Sequence, residues 1–384
     1  MKILIITTNV GGNAPGMVFE KLINGLSENN MIDILTSEYK PENSISKVNK
    51  IIHFDFQPIS FKLSSYFFSF LSFNPIDFYY ARNAQKNISE SYDLIFSFVS
   101  SGHTVPLQIG SILQKQTKIK HFTYFVDAIP APIEWWLGKK LFYKGMLRFI
   151  KSLLKNIDGF FTSNQSMLEY QMRLLPNLDR IISGVIYNPI VETDTIISDY
   201  PSDECNIFVY TGNIYGLRTA KYIIEAFQRL LKDYPNSKLQ FIGAHLPYTN
   251  IEKFEEQVKQ KIELIPFTTN LQRYYEQATA LIDIDAELEN DVFMSSKIAN
   301  YLVINRLILC ETGHGSPSSN ILKDISSVIL CSHDSIELYN AMRYCIEHKN
   351  KIDFDDRKKI IQQLSLQNVI SNLEKQFENE KIKK

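Results

Sequence analysis

The stretch IFVYTGNIYGLRTAKYIIEAF, residues 207–227, combines a buried-strand pattern, a glycine-containing turn and an amphipathic helix. A short apolar run opens it, and Gly212 and Gly216 then give the backbone the freedom that a tight turn needs. Apolar residues return at helical spacing over 223–227. Backbone N–H groups at the start of such a helix favour an anion, and Arg218 adds a permanent positive charge in the turn. The stretch therefore predicts a phosphate-binding unit near the middle of the chain.

The length and composition of the chain indicate two globular domains. Its 384 residues exceed the usual size of a single core, and 45% hydrophobic with 22% charged residues is an ordinary composition for a folded protein. The polar segment 189–204 carries two prolines and interrupts both hydrophobic periodicities, so it is the predicted linker. We therefore expect domains at 1–190 and 191–352, followed by a charged helical segment at 353–384 that can cross back to the first domain.

Short apolar runs separated by helical patterns predict parallel sheets that are buried on both faces. The runs lie at 2–8, 31–37, 50–56, 93–100, 120–127, 159–164, 182–188, 205–212, 238–244, 262–267, 280–286, 306–311 and 326–332. Such an α/β chain forms doubly wound, Rossmann-like domains, which bind ligands beyond the carboxyl ends of their strands. The cleft between the two domains is therefore the expected site.

Several sequence features indicate the cellular compartment of the protein and exclude one class of partner. The four cysteines include no CxxC pair, three lie in or beside apolar runs, and the N-terminus lacks the apolar region and cleavage site of a signal peptide. No run of about 18 apolar residues occurs, so no spanning helix is expected. A reduced, cytoplasmic protein is the prediction. Residues 1–190 hold 19 Lys and Arg against 14 Asp and Glu, but they contain no dense basic run or known motif, so nucleic acid is not an expected partner.

Four segments, in this order, resemble a known family. They are the glycine pair Gly11 and Gly12 after the opening strand, VIYNP at 185–189, the stretch at 210–227, and SSKIANYL at 295–302. Their order and spacing make the whole chain similar to the GT-B-fold retaining glycosyltransferases, specifically glycosyltransferase family 4. The resemblance implies two Rossmann-like domains facing across a cleft, with an acceptor-binding domain at 1–190 and a nucleotide-sugar donor-binding domain at 191–352.

The resemblance implies a nucleotide-diphosphate sugar as donor, and the chemistry of that donor selects candidate residues. Negative charge gathers on the leaving diphosphate in the transition state, so cations are needed there. Arg218, which follows the glycine turn, and Lys297, which opens a predicted helix, are the catalytic candidates. Lys221 is the alternative to them, and each of the three could instead be a solvated surface cation. The other donor-binding candidates from these segments are Gly212, Asn213, Gly216, Ser295 and Ser296, the serines also as helix caps.

The carboxylates match the family less closely. Family members hold donor hydroxyls with two glutamates, and the second corresponds here to Asn300, which can bind hydroxyls but supplies no negative charge. Glu287, Glu289 and Asp291 precede the same helix and are the candidates for the first acidic position. A solvated acidic loop is the alternative interpretation of these three residues.

On the acceptor side, Gly11, Gly12, His103 and Asp127 follow or end predicted strands. The family often ends the corresponding strand in His-Asp, so Asp127 matches the acid while Val126 replaces the histidine. A retaining transfer needs no protein base because the leaving phosphate can take the acceptor proton, whereas an inverting transfer would need His103 or Asp127. Retention follows from the resemblance alone, and a structural role is the alternative for His103.

No cofactor and no metal are expected. Asp283 and Asp285 form the letters DID within or at the end of a predicted strand, and the predicted donor loop holds no DxD-like pair. Arginine and lysine are therefore expected to neutralise the diphosphate. The first strand is followed by GGNAPG and not by GxGxxG, which argues against a dinucleotide-dependent dehydrogenase.

Residues 135–157 carry six basic residues and no acidic ones. Five of the basic residues recur every three or four positions, on the face opposite an apolar side: Lys140, Lys144, Arg148, Lys151 and Lys155. This pattern is typical of a helix that lies on an anionic membrane, and an aromatic stretch at 67–73, expected as a loop, adds to it. A helix that packs its apolar side on the sheet has the same pattern, so both interpretations stay open.

Together these observations predict a hexose-type glycosyltransferase. Its acceptor is expected to be a glycan or a polyprenyl-diphosphate-linked glycan of capsule or O-antigen type. The protein is expected in the cytoplasm, and peripheral contact with the inner face of the cell membrane is the membrane interpretation of residues 135–157. Two alternatives remain open. A nucleotide-sugar epimerase shares the architecture, and a non-catalytic partner of another transferase would explain Asn300 in place of an acid.

Overall fold

The computed structural model describes residues 1–382, apart from 43, 44, 46, 101, 102, 137, 192–194, 197, 200–203, 247, 248, 250, 290 and 351. The chain forms two compact units, one from Met1–Pro189 together with Leu366–Lys384, and one from Ile190–Ser365. Half of the predicted linker lies outside the described residues, at 192–194, 197 and 200–203.

Each unit is built on one parallel sheet. The strands of the first unit are β1 (Lys2–Gly11), β2 (Met31–Lys40), β3 (Val48–His53), β4 (Leu94–Val99), β5 (Lys120–Phe125), β6 (Gly159–Thr162) and β7 (Ile182–Val185). Those of the second unit are β8 (Asn206–Thr211), β9 (Ser237–Ile242), β10 (Ile262–Ile265), β11 (Ala280–Ile284), β12 (Leu307–Glu311) and β13 (Val328–Cys331).

Helices connect the strands. The first unit contains α1 (Ala14–Ser27), α2 (Phe61–Leu71), α3 (Pro75–Ala84), α4 (Val105–Thr117), α5 (Lys140–Leu153) and α6 (Gln165–Leu174). The second contains α7 (Lys221–Asp233), α8 (Glu256–Lys259), α9 (Gln272–Gln277), α10 (Lys297–Leu302), α11 (Pro317–Leu322), α12 (Ser335–His348) and α13 (Lys358–Leu364). The last helix, α14 (Leu366–Ile382), belongs to the first unit.

The strand order is the same doubly wound order in both units. It is β3-β2-β1-β4-β5-β6-β7 in the first and β10-β9-β8-β11-β12-β13 in the second, and neighbouring strands run parallel. Each of the thirteen predicted apolar runs overlaps one of these strands, which confirms the predicted α/β architecture. The order reverses direction between β1 and β4 and between β8 and β11, and this switch point is where doubly wound sheets bind their ligands.

The first sheet is buried on both faces, as its uninterrupted apolar runs predict. Ile3 and Ile5 of β1 pack in a cluster with α1 and α14, while Leu4 and Ile6 pack in another with α3 and α4. Successive side chains of a strand point to opposite faces, so the strand needs apolar residues at every position.

The predicted tail 353–384 is divided between the units at Ser365. The helix α14 completes the core of the first unit, where Ile370, Leu373 and Phe377 are buried. A Cβ on Gly25 of α1 would lie 2.5 Å from Ile370 Cγ1, so the absence of a side chain at Gly25 lets the two helices approach closely.

The aromatic stretch at 67–73, expected as a loop, largely forms the helix α2. Ser60 Oγ accepts a hydrogen bond from the Leu63 N–H at 3.4 Å and caps the first turn. Phe68 is the one buried residue of this helix. The loop expectation was wrong because α2 packs against α5, and that contact stabilises a helix which its own periodicity marks weakly.

The apolar side of α5 is buried within the first unit. Phe142, Met146, Phe149 and Ile150 all lie in a core cluster, and the basic side chains of the helix face solvent. The apolar side of α5 therefore packs on the protein, as the second interpretation expected. These buried side chains are not available to a bilayer. Within the described part of the chain, no helix combines the length and the apolar character needed to cross a membrane.

Candidate functional site

The glycine turn of the second unit lies at its switch point, directly after β8. Gly212 has a φ of +86° and its N–H donates to the Ile242 carbonyl at 2.8 Å. Asn213 holds the turn on two sides, because its carbonyl accepts from Tyr210 Oη at 3.1 Å and its Oδ1 accepts from the His245 N–H at 3.2 Å. Gly216, with a φ of +67°, completes the left-handed positions of the turn.

Arg218 follows this turn and is buried rather than solvated, with 3% of its surface exposed. Its Nη2 lies 3.7 Å from Oδ1 of Asp285, the residue that follows β11, and its guanidinium lies 5.2 Å from the ring centroid of Tyr215. Its Nε is buried without a hydrogen-bond partner among the described residues. A buried donor without a partner is costly. An anion that accepted a hydrogen bond from this guanidinium would remove that cost, so Arg218 is suited to anion binding.

Lys297 is the first residue of α10 and its Nζ lies 3.8 Å from Asp283 Oδ1. The ammonium group is also 4.8 Å from the ring centroid of Tyr210, and a Cβ on Gly212 would lie 3.3 Å from Lys297 Cε. Burial lowers the pKa of Lys297, but Tyr210 and Asp283 more than offset this, so the pKa stays above its usual value. The predicted glycine turn and Lys297 are therefore in direct proximity, and the lysine is charged at neutral pH.

Two buried carboxylates accompany the cations. Asp283 and Asp285 are two residues apart at the end of β11, which puts their side chains on the same face. Asp283 accepts a hydrogen bond from Ser295 Oγ at 2.7 Å and Asp285 accepts one from Thr312 Oγ1 at 2.8 Å. Burial and the charge of Asp283 raise the pKa of Asp285 to about 6. Because both cations lie beyond hydrogen-bond distance from these carboxylates, neither cation is fully engaged by them.

The three candidates for the first acidic position differ in their surroundings. Glu287 is exposed and accepts a hydrogen bond from Tyr222 Oη at 2.9 Å. Glu289 is also exposed. Asp291 is buried, and its Oδ1 accepts from the N–H groups of Val292 and Phe293 at 2.8 and 3.1 Å, so it supports the loop backbone.

The helix α10 carries the remaining donor candidates. Ser295 and Ser296 were expected to cap it, but Ser295 Oγ binds Asp283, and Ser296 occupies the N-cap position without a side-chain cap bond. The capping expectation was wrong because Ser295 lies one residue before the N-cap position with its hydroxyl bound to Asp283, and the Ser296 side chain accepts no cap hydrogen bond from the first turn. Asn300 is exposed and lies on the same face as Lys297, three residues earlier. The alternative cation, Lys221, is exposed at the first turn of α7.

A buried acid–histidine pair near the same sheet edge was not anticipated from the sequence. Glu311 ends β12, and its Oε1 lies 2.9 Å from His333 Nδ1. Burial raises the pKa of Glu311 to about 7. The pair is separated by 22 residues and has no motif, and only the position of Glu311 at a strand end marks it. Among the described residues, no group of three or more His, Cys, Asp and Glu side chains is placed to bind a metal ion.

In the first unit, the acceptor-side candidates follow three neighbouring strands. Gly11 and Gly12 lie at the end of β1, with φ of +70° and +73°, His103 follows β4, and Asp127 follows β5. His103 packs edge-on against Phe56 with ring centroids 5.6 Å apart, and its Nδ1 is buried without a partner. Burial lowers the pKa of His103, so its imidazole is neutral at physiological pH.

Comparison with solved structures identifies the fold. The chain superposes on the Anabaena protein HepE in complex with UDP-glucose at 12% identity and a TM-score of 0.69, covering 99% of this chain and 100% of that one. It superposes on sucrose-phosphate synthase from Thermosynechococcus elongatus at 12% identity and a TM-score of 0.70, covering 100% of both chains. For the lipopolysaccharide outer core galactosyltransferase WaaB the identity is 14% and the TM-score 0.64, with 99% and 100% covered.

These superpositions extend over the full length of each protein, and together with the two doubly wound sheets they define the class. The chain has a GT-B fold of two Rossmann-like units. No protein-family profile and no curated protein sequence matches it.

Proposed function

We propose that the protein is a glycosyltransferase that uses a nucleotide-diphosphate sugar as donor. The observation that carries this proposal is a pair of cations, the buried Arg218 and the partly buried Lys297, beside the Gly212 turn at the switch point of the second unit. HepE, which has the same fold, binds UDP-glucose, and WaaB is a galactosyltransferase. Two cations at a switch point suit a leaving diphosphate, whose negative charge grows as the bond to the sugar breaks.

The two aspartates near the cations are also compatible with binding of a donor diphosphate. Asp283 and Asp285 lie close enough to the two cations to orient them. At separations of 3.7 and 3.8 Å they form no direct hydrogen bonds with the cations, so the cations can form shorter, charge-assisted hydrogen bonds with phosphate oxygens. Glu287 and Asn300 are exposed, so their side chains can contact donor hydroxyls, although Glu287 already accepts from Tyr222 Oη and Asn300 supplies no charge to a cationic sugar. The donor site therefore lies in the second unit and needs no metal in this proposal.

Substitution of the cations tests the donor site. In Arg218→Ala and Lys297→Ala we expect the Kd for UDP, measured by calorimetry, to rise about 10- to 100-fold, because each charge-assisted hydrogen bond contributes about 1.5–3 kcal/mol. Lys232→Ala removes an exposed cation from the last turn of α7 and is the matched control. Lys221→Ala tests the alternative cation. If Arg218 and Lys297 bind the diphosphate, this substitution should change the Kd for UDP little.

Loss of a cation leaves a buried aspartate without its counter-ion, so folding must be checked alongside. Arg218→Lys and Lys297→Arg keep the charge and should retain part of the affinity in a folded protein. Unchanged UDP affinity in folded Arg218→Ala and Lys297→Ala would remove the donor-site proposal. A panel of UDP-, GDP- and TDP-sugars then identifies the donor.

We further propose transfer with retention of configuration and without a metal. Retention leaves proton transfer to the leaving phosphate, so neither His103 nor Asp127 is needed as a base, and both are then acceptor-positioning residues. The anomeric configuration of the product, read by NMR, decides between retention and inversion. Activity that survives EDTA is expected, because Arg218 and Lys297 neutralise the diphosphate; activity restored only by Mg²⁺ or Mn²⁺ contradicts this.

Two other functions give different results in the same assays. An epimerase would interconvert the donor sugar without an acceptor, and a non-catalytic partner would show neither hydrolysis nor transfer with any donor. The pairing of two cations with a glycine turn favours a donor-binding enzyme over a non-catalytic partner.

The acceptor is proposed to be a lipid-linked glycan of a cell-surface polysaccharide, reached at an anionic membrane. Exposed apolar residues on α2 support this more directly than α5 does: Phe61, Leu63, Phe70 and Leu71 are 47%, 40%, 68% and 50% exposed. The adjacent α5 presents its lysines and an arginine to solvent. Exposed aromatic side chains next to basic ones are suited to the interface of an anionic bilayer.

Co-sedimentation with vesicles tests this surface. We expect the protein to pellet with vesicles that contain phosphatidylglycerol and to stay in the supernatant with phosphatidylcholine alone. The double substitution Phe70→Ser and Leu71→Ser should reduce pelleting at least about tenfold, because each buried side chain contributes about 1.5–3 kcal/mol. Met31→Ser, which changes an exposed residue of β2, is the control. Equal recovery in the supernatant with both vesicle types rules the surface out.

A further inference from the structure

A cavity lies in the first unit and is lined by none of the candidate donor-site residues. It has a volume of about 630 Å³ and is lined by the segment after β3 together with α3. This size is within the range of about 300–1,000 Å³ found for small-molecule sites. The residues that define its chemistry are Asp55, Phe56, Gln57, Tyr79, Tyr80 and Asn83.

Aromatic rings form part of the cavity lining. Tyr79 is 64% exposed and its ring centroid lies 5.8 Å from that of Tyr80. Phe56 packs edge-on against Tyr80 at 5.6 Å and, on another side, edge-on against His103 at the same distance. An exposed tyrosine in a cavity presents both an apolar face and a hydroxyl. Aromatic contacts through Phe56 therefore connect the cavity lining to the acceptor-side histidine, which itself is not among the lining residues.

Polar groups with free hydrogen-bonding capacity complete the lining. Asp55 and Gln57 are exposed, and neither side chain has a hydrogen-bond partner among the described residues. A carboxylate and a side-chain amide accept from and donate to hydroxyl groups. No lysine or arginine is among the described lining residues; Lys86, which donates to Asn83 Oδ1, lies outside them. A carboxylate without a lining cation disfavours a phosphate-bearing ligand.

We propose that this cavity binds an uncharged saccharide. Pyranose rings offer apolar C–H faces that stack on aromatic rings and hydroxyls that pair with carboxylate and amide groups, and the cavity presents both. The further step, that the bound saccharide is part of the acceptor, rests on the proposed transferase function. In that role the cavity holds a sugar unit at the His103 end of the first unit and so selects the acceptor glycan.

Saturation-transfer difference NMR on the full-length protein tests saccharide binding directly. The probes are lactose, cellobiose, maltose and chitobiose at millimolar concentration. At least one of them should give a signal that falls at least about fivefold in Tyr79→Ala and in Asp55→Asn, both surface substitutions expected to leave the fold intact. Tyr344→Ala, which changes an exposed tyrosine of the second unit, should leave the signal unchanged. Absence of any signal, or a signal that survives in both cavity variants, overturns the proposal.

Kinetics separate this inference from the proposed function. In a transfer assay, Tyr79→Ala should raise the KM for the acceptor at least about fivefold while the KM for the donor and the Kd for UDP stay unchanged. A rise in the donor KM instead would overturn the acceptor role. If the wild-type protein binds no nucleotide sugar, the transferase proposal fails, and the NMR result alone still decides whether the cavity binds a saccharide.

Discussion

At the scale of single residues, the pairing of each site cation with a buried aspartate defines the candidate donor site. Arg218 and Lys297 do not lie in solvent, so their positions are held before any ligand arrives. Such preorganisation lowers the cost of binding an anion, because the side chains have already lost their conformational freedom. A diphosphate then competes with Asp285 and Asp283 for the same two cations.

Gly212→Ala should weaken nucleotide binding beyond its effect on stability. A side chain at a φ of +86° costs about 1–2 kcal/mol, and the added Cβ would push on Lys297 Cε from 3.3 Å. Gly315→Ala introduces the same strain at a φ of +75° with no atom within 4 Å, so it is the matched control. We expect similar losses of stability in both and a higher Kd for UDP only in Gly212→Ala. Equal UDP affinity in the two variants would contradict the proximity of turn and lysine.

The sequence singles out the candidate residues one by one, but it does not indicate which side chains they contact. The glycine turn and its arginine are continuous in sequence, so 207–227 indicates a phosphate-binding unit by itself. The alternation in residues 283–285 predicts only that two aspartates share a face. Which cations they meet depends on the order of β8 and β11 in the sheet and on the position of α10, and no local pattern encodes either.

At the scale of elements, the strands were more predictable than the helices. A continuous apolar run such as the one in β4 is typical of a strand that is buried on both faces of a parallel sheet, so it predicts both the strand and its burial. The helix α2 was missed because a mostly exposed, aromatic-rich helix lacks the two-sided pattern that sequence reasoning detects. For α5 the amphipathic pattern was recognised, but the pattern alone does not say whether its apolar side meets protein or lipid.

The start of α3 contains an acid whose protonation should affect stability. Asp77 is in the first turn and is 5% exposed, and Asn74 Oδ1 accepts hydrogen bonds from the N–H groups of Ile76 and Asp77 at 3.0 and 3.4 Å. Burial raises the pKa of Asp77 to about 7, against the smaller, lowering effect of Asn74. An unfolded aspartate has a pKa near 3.9.

Asp77→Asn should therefore flatten the pH dependence of stability. Between about pH 4 and pH 7 the folded protein holds a proton that the unfolded chain has released, so stability falls as pH rises through this window. The substitution removes that loss and should stabilise the first unit at pH 8 by about 2–4 kcal/mol relative to its effect at pH 4. Hydrogen exchange of β1 and β4 at the two pH values measures it. The exposed Asp179→Asn is the control, and parallel slopes in all three proteins would refute the assignment to Asp77.

At the scale of the whole molecule, the first unit is built from both ends of the chain. Phe377 of α14 packs among the rings of Phe96 and Phe122, with centroids 5.9 and 5.6 Å away. The second unit, Ile190–Ser365, is continuous in sequence. The stability of the first unit therefore depends on residues beyond the end of the second.

Phe377→Ala should destabilise the first unit selectively. Removing a buried phenylalanine side chain costs about 3–5 kcal/mol, and the lost contacts lie within the first core. Hydrogen exchange of α1, β1 and β4 should accelerate, while exchange of β8 and β11 should not. Lys375→Ala, on an exposed position of the same helix, should leave both units unchanged. Faster exchange in both units of Phe377→Ala would show that the core contacts of α14 do not act on the first unit alone.

The return of α14 to the first unit also sets an order of events during synthesis. The strand β1 is made before α14, yet the side chains of α14 help to cover the face of β1 that packs on α1. At about 5–20 residues per second, roughly 10–35 s pass between completion of residue 189 and the appearance of α14. Over that interval the second unit can fold as a continuous segment while the nascent first unit still exposes Phe96 and Phe122. A nascent chain therefore has an uncovered aromatic surface that chaperones can bind until α14 has been made.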